Sequence, residues 1–450
     1  MMPLAAILNA RGAAVSGSDR ALDQGRGSAK FDWLKAQGIA LYPQDGSGIT
    51  VPIGRVVASA AVEDDVPDMV AARALGCERV TRAELLAQLF NGAATSVAIG
   101  GTSGKSTVTG MIALILHRMA RKPTVMNGAV MADFVSEKTP FASSLAGNPE
   151  LWVSEVDESD GSIALFRPTV AVLTNVTPDH KPIEELRTLF ADFLAHADRL
   201  VVSADDAESR ELTHAHPGAI RFGLADDARI TAESVATAPT GLRFIAVDRE
   251  TDERVPVALA VPGRHNLSNA LAALAGAVAL GTGLSLAAGT LSGFRGIARR
   301  LETVGSADGV TVVDDFAHNP DKIAASLATL TETDGRLLVL FQPHGFRSLV
   351  QLGDAIADAF ADGLRPDDRI WVTEPAYFGG TTDQERGGDW LAEALVSRGV
   401  VADAVCDRAA ARPLLLDAAG PGTRIVVMGA RDDGLALFAR ELLASLVERG

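Results

Sequence analysis

The stretch Gly100–Thr107, GGTSGKST, holds small residues, a lysine and two hydroxyls directly after an apolar run. Small residues let backbone N–H groups close around phosphate oxygens, and a helix that begins here would turn its positive end toward them. Lys105 would then neutralise β- and γ-phosphates, and the hydroxyl of Ser106 or Thr107 would hold Mg²⁺. The strict phosphate-loop pattern fails, because Ile99 stands where a glycine is expected. The alternative is a glycine-rich turn with an exposed lysine.

Two further polar clusters follow predicted strands. The acidic run SEVDESDG occupies residues 154–161, and TNVTPDH occupies 174–180. Because the carboxyl ends of parallel strands share one edge of a sheet, Glu155 and His180 are expected to converge on the mouth of the glycine-rich loop. A carboxylate and a neutral imidazole form a partial shell for Mg²⁺ or Mn²⁺. The alternatives are a solvated acidic loop and a structural histidine.

The elements that must position these groups alternate along the chain, which predicts an α/β fold with mostly parallel sheets. A helix is predicted from about 104 to 119, a strand-rich segment between 230 and 261, and an Ala-rich helix over 266–280. Predicted strands cover residues 96–99, 151–153, 170–173, 200–202, 310–313, 337–341, 369–372 and 425–428. With 450 residues, the chain is expected to form three domains.

Composition narrows the range of partners. The formal net charge of −16 argues against broad binding to nucleic acid or to an anionic membrane. No apolar run approaches the roughly 20 residues that span a bilayer. The two cysteines, Cys77 and Cys406, suggest neither a disulfide framework nor a cysteine metal site, and a cytoplasmic location is expected.

Six motifs, in order from residue 101 to 323, together resemble the signature series of the Mur ligase family. They are GTSGKST, SEVDESDGS, LTNVTPDH, VPGRHNLSNALAAL, GIARRLETVG and VVDDFAHNPDKI, with SGSD at 16–19 and FQPH at 341–344 as further matches. The resemblance implies an N-terminal Rossmann-like domain for the UDP substrate (1–93), a central phosphate-loop ATPase domain (94–297) and a C-terminal Rossmann-like domain for the amino substrate (298–450). The chain opens without the strand and Gly-rich turn of other members, so the first domain is expected to lack its first strand.

The resemblance also assigns site residues by position. For ATP these are Gly101, Thr102, Ser103, Gly104, Lys105, Ser106, Thr107, Asn266, Asn269 and Arg300; for Mg²⁺, or Mn²⁺, they are Ser106, Thr107, Glu155 and His180. Lys105, Glu155, His180, Asp315 and His318 are the expected catalytic groups. For the amino substrate the expected residues are His318, His344 and Arg347, the last replacing an arginine that the alanine branch carries where this chain has Gly345.

The implied reaction is the ATP-dependent joining of an amine to the carboxylate of a UDP-N-acetylmuramate-type nucleotide sugar through an acyl phosphate, a step of peptidoglycan precursor synthesis. The motifs are nearest to the alanine and tripeptide branches of the family, and L-alanine is the expected acceptor, with the tripeptide as the alternative. VTVVDDFAH resembles the tripeptide branch and FQPH the alanine branch. A family-like nucleotide-binding protein without ligase activity is the hypothesis from another class. The protein is expected to be a monomer or homodimer.

Overall fold

The computed structural model describes residues 1–50, 53–59, 62–177, 181–376, 385–430, 432 and 434–449. The chain divides into two compact units. The first contains Met1–Ser234, Phe244–Val257 and Ser268–Phe294, and the second contains Val235–Arg243, Ala258–Leu267 and Arg295–Gly450.

The N-terminal part of the first unit consists of short elements. They are α1 (Met2–Ala10), β1 (Ser16–Gly17), α2 (Arg20–Asp23), α3 (Ser28–Ala36), β2 (Ala40–Leu41), β3 (Arg55–Ala58), α4 (Pro67–Ala74), β4 (Glu78–Thr81) and α5 (Arg82–Asn91). β1 pairs in parallel with β2, and β3 with β4. Helix α5 starts at a capping box of Thr81 and Glu84, and its buried Phe90 packs edge-on against Trp152.

The rest of the first unit is built around an extended sheet, whose last strands and the helix after them extend into residue ranges of the second unit. Its elements are β5 (Thr95–Gly100), α6 (Lys105–Arg118), β6 (Pro123–Met126), β7 (Ser144–Leu145), β8 (Asn148–Glu155), β9 (Val170–Leu173), α7 (Ile183–Ala195), β10 (Arg199–Ser203), α8 (Ala207–Leu212), β11 (Ile220–Phe222), β12 (Ile230–Ala238), β13 (Gly241–Asp248), β14 (Glu253–Leu259), α9 (Arg264–Ala279) and α10 (Leu284–Leu291). Short 3₁₀ turns cover Ala132–Phe134 and Ser162–Leu165. The strand order is β14-β13-β12-β11-β10-β9-β5-β8-β6-β7.

Strand β5 lies inside this sheet, parallel to both β8 and β9. Its residues Val97, Ala98 and Ile99 are completely buried, as expected for a strand covered on both faces. Helix α6 is buried along most of its length, so it has no polar face of its own. The loop between β5 and α6 is therefore anchored at both ends in the core.

The second unit contains another mainly parallel sheet. Its elements are β15 (Glu302–Ala307), β16 (Val310–Asp315), α11 (Pro320–Thr331), β17 (Leu337–Phe341), α12 (Phe346–Gly363), β18 (Arg369–Thr373), α13 (Gly388–Val396), β19 (Ala402–Val405), α14 (Arg408–Ala418), β20 (Arg424–Met428) and α15 (Gly434–Arg449). The strand order is β15-β16-β20-β17-β18-β19, with β15 antiparallel to its neighbour. Apolar clusters cover both faces of the sheet.

The α/β class and the largely parallel sheets agree with the sequence-based expectation. Predicted strands 170–173 and 337–341 match β9 and β17 to the residue, and the predicted helix over 104–119 is α6, Lys105–Arg118. The segment predicted to be strand-rich contains β12, β13 and β14. In the part of the chain that the structure describes, no helix is long and apolar enough to cross a membrane.

Candidate active site

The glycine-rich loop leaves the carboxyl end of β5 and ends at the first turn of α6. Gly101 and Gly104 have φ values of 127° and 87°, a backbone region that side chains strongly disfavour. A Cβ at Gly101 would overlap Thr174 Oγ1, and a Cβ at Gly104 would overlap Asn269 Oδ1. These two glycines therefore let the backbone turn sharply and lie directly against its neighbours.

The segment after β9 ties the loop down. Ser103 N donates to Asn175 Oδ1 at 3.0 Å, and Asn175 Nδ2 donates to Ser103 O at 3.1 Å. Thr102 N donates to Asn175 O, and the Thr102 hydroxyl bonds with both the N–H and the carbonyl of Thr177. The Thr102 and Ser103 amides already have hydrogen-bond partners. A phosphate bound here would therefore be met by the N–H groups at the start of α6.

Lys105 is the first residue of α6 and reaches back across the loop. Its Nζ donates to Gly101 O at 2.7 Å and to both carboxylate oxygens of Glu158, at 2.9 and 2.7 Å. The side chain of Lys105 is 19% exposed and that of Glu158 is 8% exposed. A lysine at this place is positioned to meet a phosphate bound at the helix start, and its own charge is balanced by a buried carboxylate.

Ser106 and Glu155 form the second feature of the loop. The buried Ser106 hydroxyl donates to Glu155 Oε2 at 2.6 Å, and Asn127 Nδ2 donates to Ser106 O at 3.0 Å. Gly128 lies so close to the Glu155 carboxylate that a Cβ there would overlap it. A hydroxyl and a carboxylate oxygen in contact are hard donors of the kind that Mg²⁺ prefers, so this pair fits the predicted cation.

The remaining predicted metal ligands are less defined. Thr107 follows Ser106 on α6 and is half-buried. The predicted ligand His180 lies outside the described residues. Among the residues that are described, no group of three or more His, Cys, Asp or Glu side chains gathers as a metal site. Within the described part of the chain, Ser106 and Glu155 are thus the predicted Mg²⁺ ligands whose side chains contact each other.

A small cavity of about 80 Å³ opens beside the loop within the first unit. Lys105 and Glu155 line it from the loop side, Asn127 and Gly128 from the segment after β6, and Arg82 from the start of α5. The cavity therefore combines two cationic side chains with the carboxylates of Glu155 and Asp157. Its lining is charged and it lies next to the predicted phosphate position.

The two predicted asparagines of α9 differ in their surroundings. Asn269 is 8% exposed and its Oδ1 lies against Gly104 of the loop. Asn266 Nδ2 donates to Pro262 O at 2.7 Å, a contact at the start of its own helix. The first unit thus brings Asn269 to the loop, while Asn266 belongs to the second unit.

In the second unit, the predicted site residue Asp315 forms a buried acidic pair with Asp314 close to the predicted Arg300. Asp315 is 4% exposed; its oxygens accept hydrogen bonds from Leu301 N at 3.1 Å and from the Ser326 hydroxyl at 2.5 Å. Burial raises the pKa of Asp315, and burial raises the pKa of its neighbour Asp314 to about 6. Arg299 lies beside Asp314, with Nε 3.4 Å from Oδ2.

The segment that carries Arg300 is bent. Arg299 and Leu301 have φ values of 60° and 45°, which non-glycine residues seldom adopt. Glu302 accepts a hydrogen bond from Arg299 N at 2.8 Å, and Asp315 accepts from Leu301 N. Arg300, between these two anchored residues, is exposed. Asp315 therefore fixes the backbone from which the Arg300 side chain projects.

His318 and His344 come together at one edge of the second sheet. They follow β16 and β17, whose carboxyl ends share an edge because both strands run parallel to β20. The two rings stack at 5.1 Å with an interplanar angle of 28°, and His318 Nδ1 lies 2.9 Å from Phe316 O. Burial lowers the pKa of His318, so its imidazole is neutral at pH 7. Arg347, the second residue of α12, is exposed.

The fold and the glycine-rich loop are those of an α/β phosphate-loop protein that carries a second, open α/β sheet. Family models for the Mur ligase family catalytic domain, the Mur ligase middle domain and the Mur ligase glutamate ligase domain match residues 1–93, 99–277 and 299–431. Among curated proteins, a UDP-N-acetylmuramate–L-alanine ligase of Streptomyces coelicolor is 34% identical over 96% of this chain and 92% of its own length. The chain therefore belongs to the Mur ligase family.

Other relatives agree. The enzyme of the same name from Salinispora arenicola is 33% identical over 100% of this chain and 87% of its own. The crystal structure of the Thermotoga maritima UDP-N-acetylmuramate–alanine ligase superposes with a TM-score of 0.79 at 24% identity, covering 100% of this chain and 97% of that one. A murein peptide ligase from Psychrobacter arcticus gives 0.66 at 22% identity, over 99% and 96%. The predicted family, its three-domain α/β fold and its class, an ATP-dependent amide-forming ligase of peptidoglycan precursor synthesis, are confirmed.

Two residues that contact the loop, Glu158 and Asn175, were not predicted from the sequence. Glu158 lies in an acidic run that by composition reads as a solvated loop, and its distance of three residues from Glu155 was the available signal. Asn175 lies in the motif that was singled out for its histidine, and an asparagine directly after a buried strand was the signal there. The individual roles of the other site residues stay predictions.

Proposed function

We propose that this protein joins L-alanine to the carboxylate of UDP-N-acetylmuramate, with conversion of ATP to ADP and phosphate. The observation that carries the proposal is the preformed phosphate loop, in which Lys105 and the Ser106–Glu155 pair stand side by side at the start of α6. The alanine ligases that resemble the chain over more than nine-tenths of its length supply the substrates. Residues 1–93 would receive the UDP sugar, 94–297 ATP, and 298–450 the amino acid.

The first step is a phosphoryl transfer. A carboxylate oxygen of the sugar attacks the γ-phosphorus of ATP, the bond to the β-bridging oxygen breaks, and an acyl phosphate and ADP result. Negative charge spreads over the transferring group, and Lys105 together with the N–H groups at the start of α6 would stabilise it. Mg²⁺, held by Ser106 and Glu155 with Thr107 and His180 as further predicted ligands, would supply additional positive charge. Asn269 would border the nucleotide at Gly104.

The second step forms the amide. The amine of L-alanine attacks the acyl carbon, the bond to phosphate breaks, and a proton leaves the nitrogen. His318 is suited to accept that proton because burial keeps its pKa below the ordinary value of 6.5. The stacked His344 would orient the ring, and Arg300 and Arg347 are exposed cations available to phosphate and carboxylate groups. Both cysteines are free thiols, in line with the proposed cytoplasmic location.

The test is phosphate and ADP release from the purified protein with ATP, Mg²⁺ and UDP-N-acetylmuramate, with one amine at a time. L-Alanine is expected to give the highest kcat/KM, above glycine, L-serine and the tripeptide. Reactions that lack the sugar nucleotide provide the background rate. Preference for the tripeptide would assign the chain to the recycling branch, and release with none of these amines would contradict ligase activity.

A further inference from the structure

We infer that Glu158 is an internal counter-ion of Lys105, which a nucleotide phosphate must displace, so that Glu158 sets how tightly the loop binds nucleoside di- and triphosphates. The inference rests on the proposed ATP site and adds to it a residue that weakens nucleotide binding. Glu158 acts through Lys105 and is a positioning residue.

The hydrogen bonds of Lys105 support an exchange of partners. An ammonium group has three N–H donors, and Nζ has three acceptors within 2.9 Å, namely Gly101 O and both oxygens of Glu158. A phosphate oxygen can therefore bind Lys105 at full strength only if Glu158 gives up at least one of these bonds. Both the carboxylate and the phosphate are anions, so they compete for the same cation.

The position of Glu158 makes this competition strong. Its side chain is only 8% exposed, so its charge is poorly screened by solvent. The backbone around it is fixed, because Asp157 Oδ1 accepts hydrogen bonds from both the N–H and the hydroxyl of Ser159, and Gly161 N donates to Glu158 O at 3.2 Å. The backbone that carries Glu158 is thus fixed, so its carboxylate can leave Lys105 only by rotation of its own side chain.

The carboxylates of Glu155, at the end of β8, and Glu158, just after it, take different partners. Glu155 bonds with the Ser106 hydroxyl, and Glu158, three residues later, pairs with Lys105. Each of the two neighbouring residues at the start of α6 thus has its own carboxylate partner. Lys105 pairs with Glu158, and Ser106, at the predicted cation position, bonds with Glu155. Removing the charge of Glu158 should therefore change phosphate affinity through Lys105 and leave the Ser106–Glu155 pair in place.

The experiment is equilibrium binding of ADP and of AMP, without added metal, to the full-length protein and to Glu158→Gln. ADP is expected to bind on the order of tenfold more tightly to the variant, because the lysine is then free of its anionic partner. AMP lacks the β-phosphate and is expected to bind with unchanged affinity. Asp160→Asn is the matched control: it removes one charge from the same loop, and its carboxylate accepts from Ser162 N instead.

A variant with Lys105→Met tests the route of the effect. In that background Glu158→Gln should raise ADP affinity by much less than it does beside Lys105, since the cation for which the two anions compete is gone. Thermal melting of each variant checks the fold, and Glu158→Asp, which keeps the charge on a shorter side chain, should bind ADP with intermediate affinity.

Equal or weaker ADP binding by Glu158→Gln would overturn the inference, as would a similar gain for AMP, a similar gain in Asp160→Asn, or a gain of the same size with Lys105→Met. If wild-type protein binds ADP and these variants behave alike, only the role of Glu158 is wrong. If wild-type protein binds neither ADP nor ATP, the proposed nucleotide site itself is wrong and the inference falls with it.

Discussion

The phosphate loop of the first unit and the histidine pair of the second unit are both built at the carboxyl ends of parallel strands, yet they are fixed in different ways. The loop is tied by reciprocal bonds between Ser103 and Asn175, by the bonds of Lys105 to the buried Glu158, and by the bond of Ser106 to Glu155. The rings of His318 and His344 stack on each other, and His318 Nδ1 lies within hydrogen-bond distance of the Phe316 carbonyl.

This contrast indicates which part of each site is preformed. Charge stabilisation during phosphoryl transfer requires donors that are already oriented, because reorganising them during the reaction would cost free energy. A group that takes a proton from an incoming amine can adjust when the amine arrives. Substitutions in the loop should therefore have larger effects than substitutions at the histidines.

The largest effect is expected for Lys105→Met. Turnover should fall by on the order of 10³-fold because a donor to the transferring phosphoryl group is lost. The variant also leaves the buried Glu158 without its cation, so it should melt at a lower temperature, and adding Glu158→Gln should restore the melting temperature but not the turnover. Phosphate release and thermal melting measure the two quantities. Unchanged turnover in Lys105→Met would contradict the role of the loop in phosphoryl transfer.

A smaller effect is expected for Gly104→Ala, which tests how rigidly the loop is packed. The new Cβ would meet both an unfavourable φ of 87° and Asn269 Oδ1, so ATP affinity should fall at least tenfold. Gly161→Ala is the matched control, because Gly161 has a similar φ of 76° but nothing within 4 Å of an added Cβ. Equal losses of ATP affinity in both variants would mean that backbone strain alone, without the contact to Asn269, accounts for the effect.

For His318→Ala, kcat/KM for L-alanine should fall by about tenfold or more, while ATP affinity stays unchanged. Because the pKa of His318 lies below 6.5, wild-type kcat/KM for L-alanine should decline as the pH falls below that value, and the variant should lack this decline. A pH profile from 5 to 8 measures both. His196→Ala, at an exposed helix end, is the control. A profile that keeps its acidic limb in His318→Ala would reject the histidine as the proton acceptor.

The smallest effect concerns stability at Asp314. Its pKa is raised from 3.8 to about 6, so the folded state holds the proton more tightly, and this stabilisation is complete below pH 3.8 and lost as the pH rises through 6. Asp314→Asn resembles the protonated form, and at pH 7 it should unfold with a free energy higher than wild type by up to about 3 kcal/mol. Denaturant unfolding at pH 4 to 7 measures the gap, which should vanish toward pH 4. A gap that is independent of pH would contradict the burial of this charge.

Much of the fold was predictable because buried strands such as Val170–Leu173 are short apolar runs that are bounded by polar turns. The loop was predictable from Gly104, Lys105 and Ser106, since small residues, a cation and a hydroxyl at a strand end have few other uses. Glu158 was not, because an acidic run looks the same in sequence whether its carboxylates are solvated or paired. The stacking of His318 on His344 depends on the insertion of β20 between β16 and β17, which sequence spacing does not encode.

The most direct test of the ligase proposal follows the oxygen atoms. UDP-N-acetylmuramate labelled with ¹⁸O in its carboxylate is incubated with ATP, Mg²⁺, L-alanine and the wild-type protein, and the released phosphate is analysed by mass spectrometry. Attack by the carboxylate on the γ-phosphorus predicts that one ¹⁸O atom appears in each phosphate released and that the amide product forms in equal amount. Unlabelled phosphate, or phosphate without amide, would contradict transfer of the γ-phosphoryl group to the sugar carboxylate.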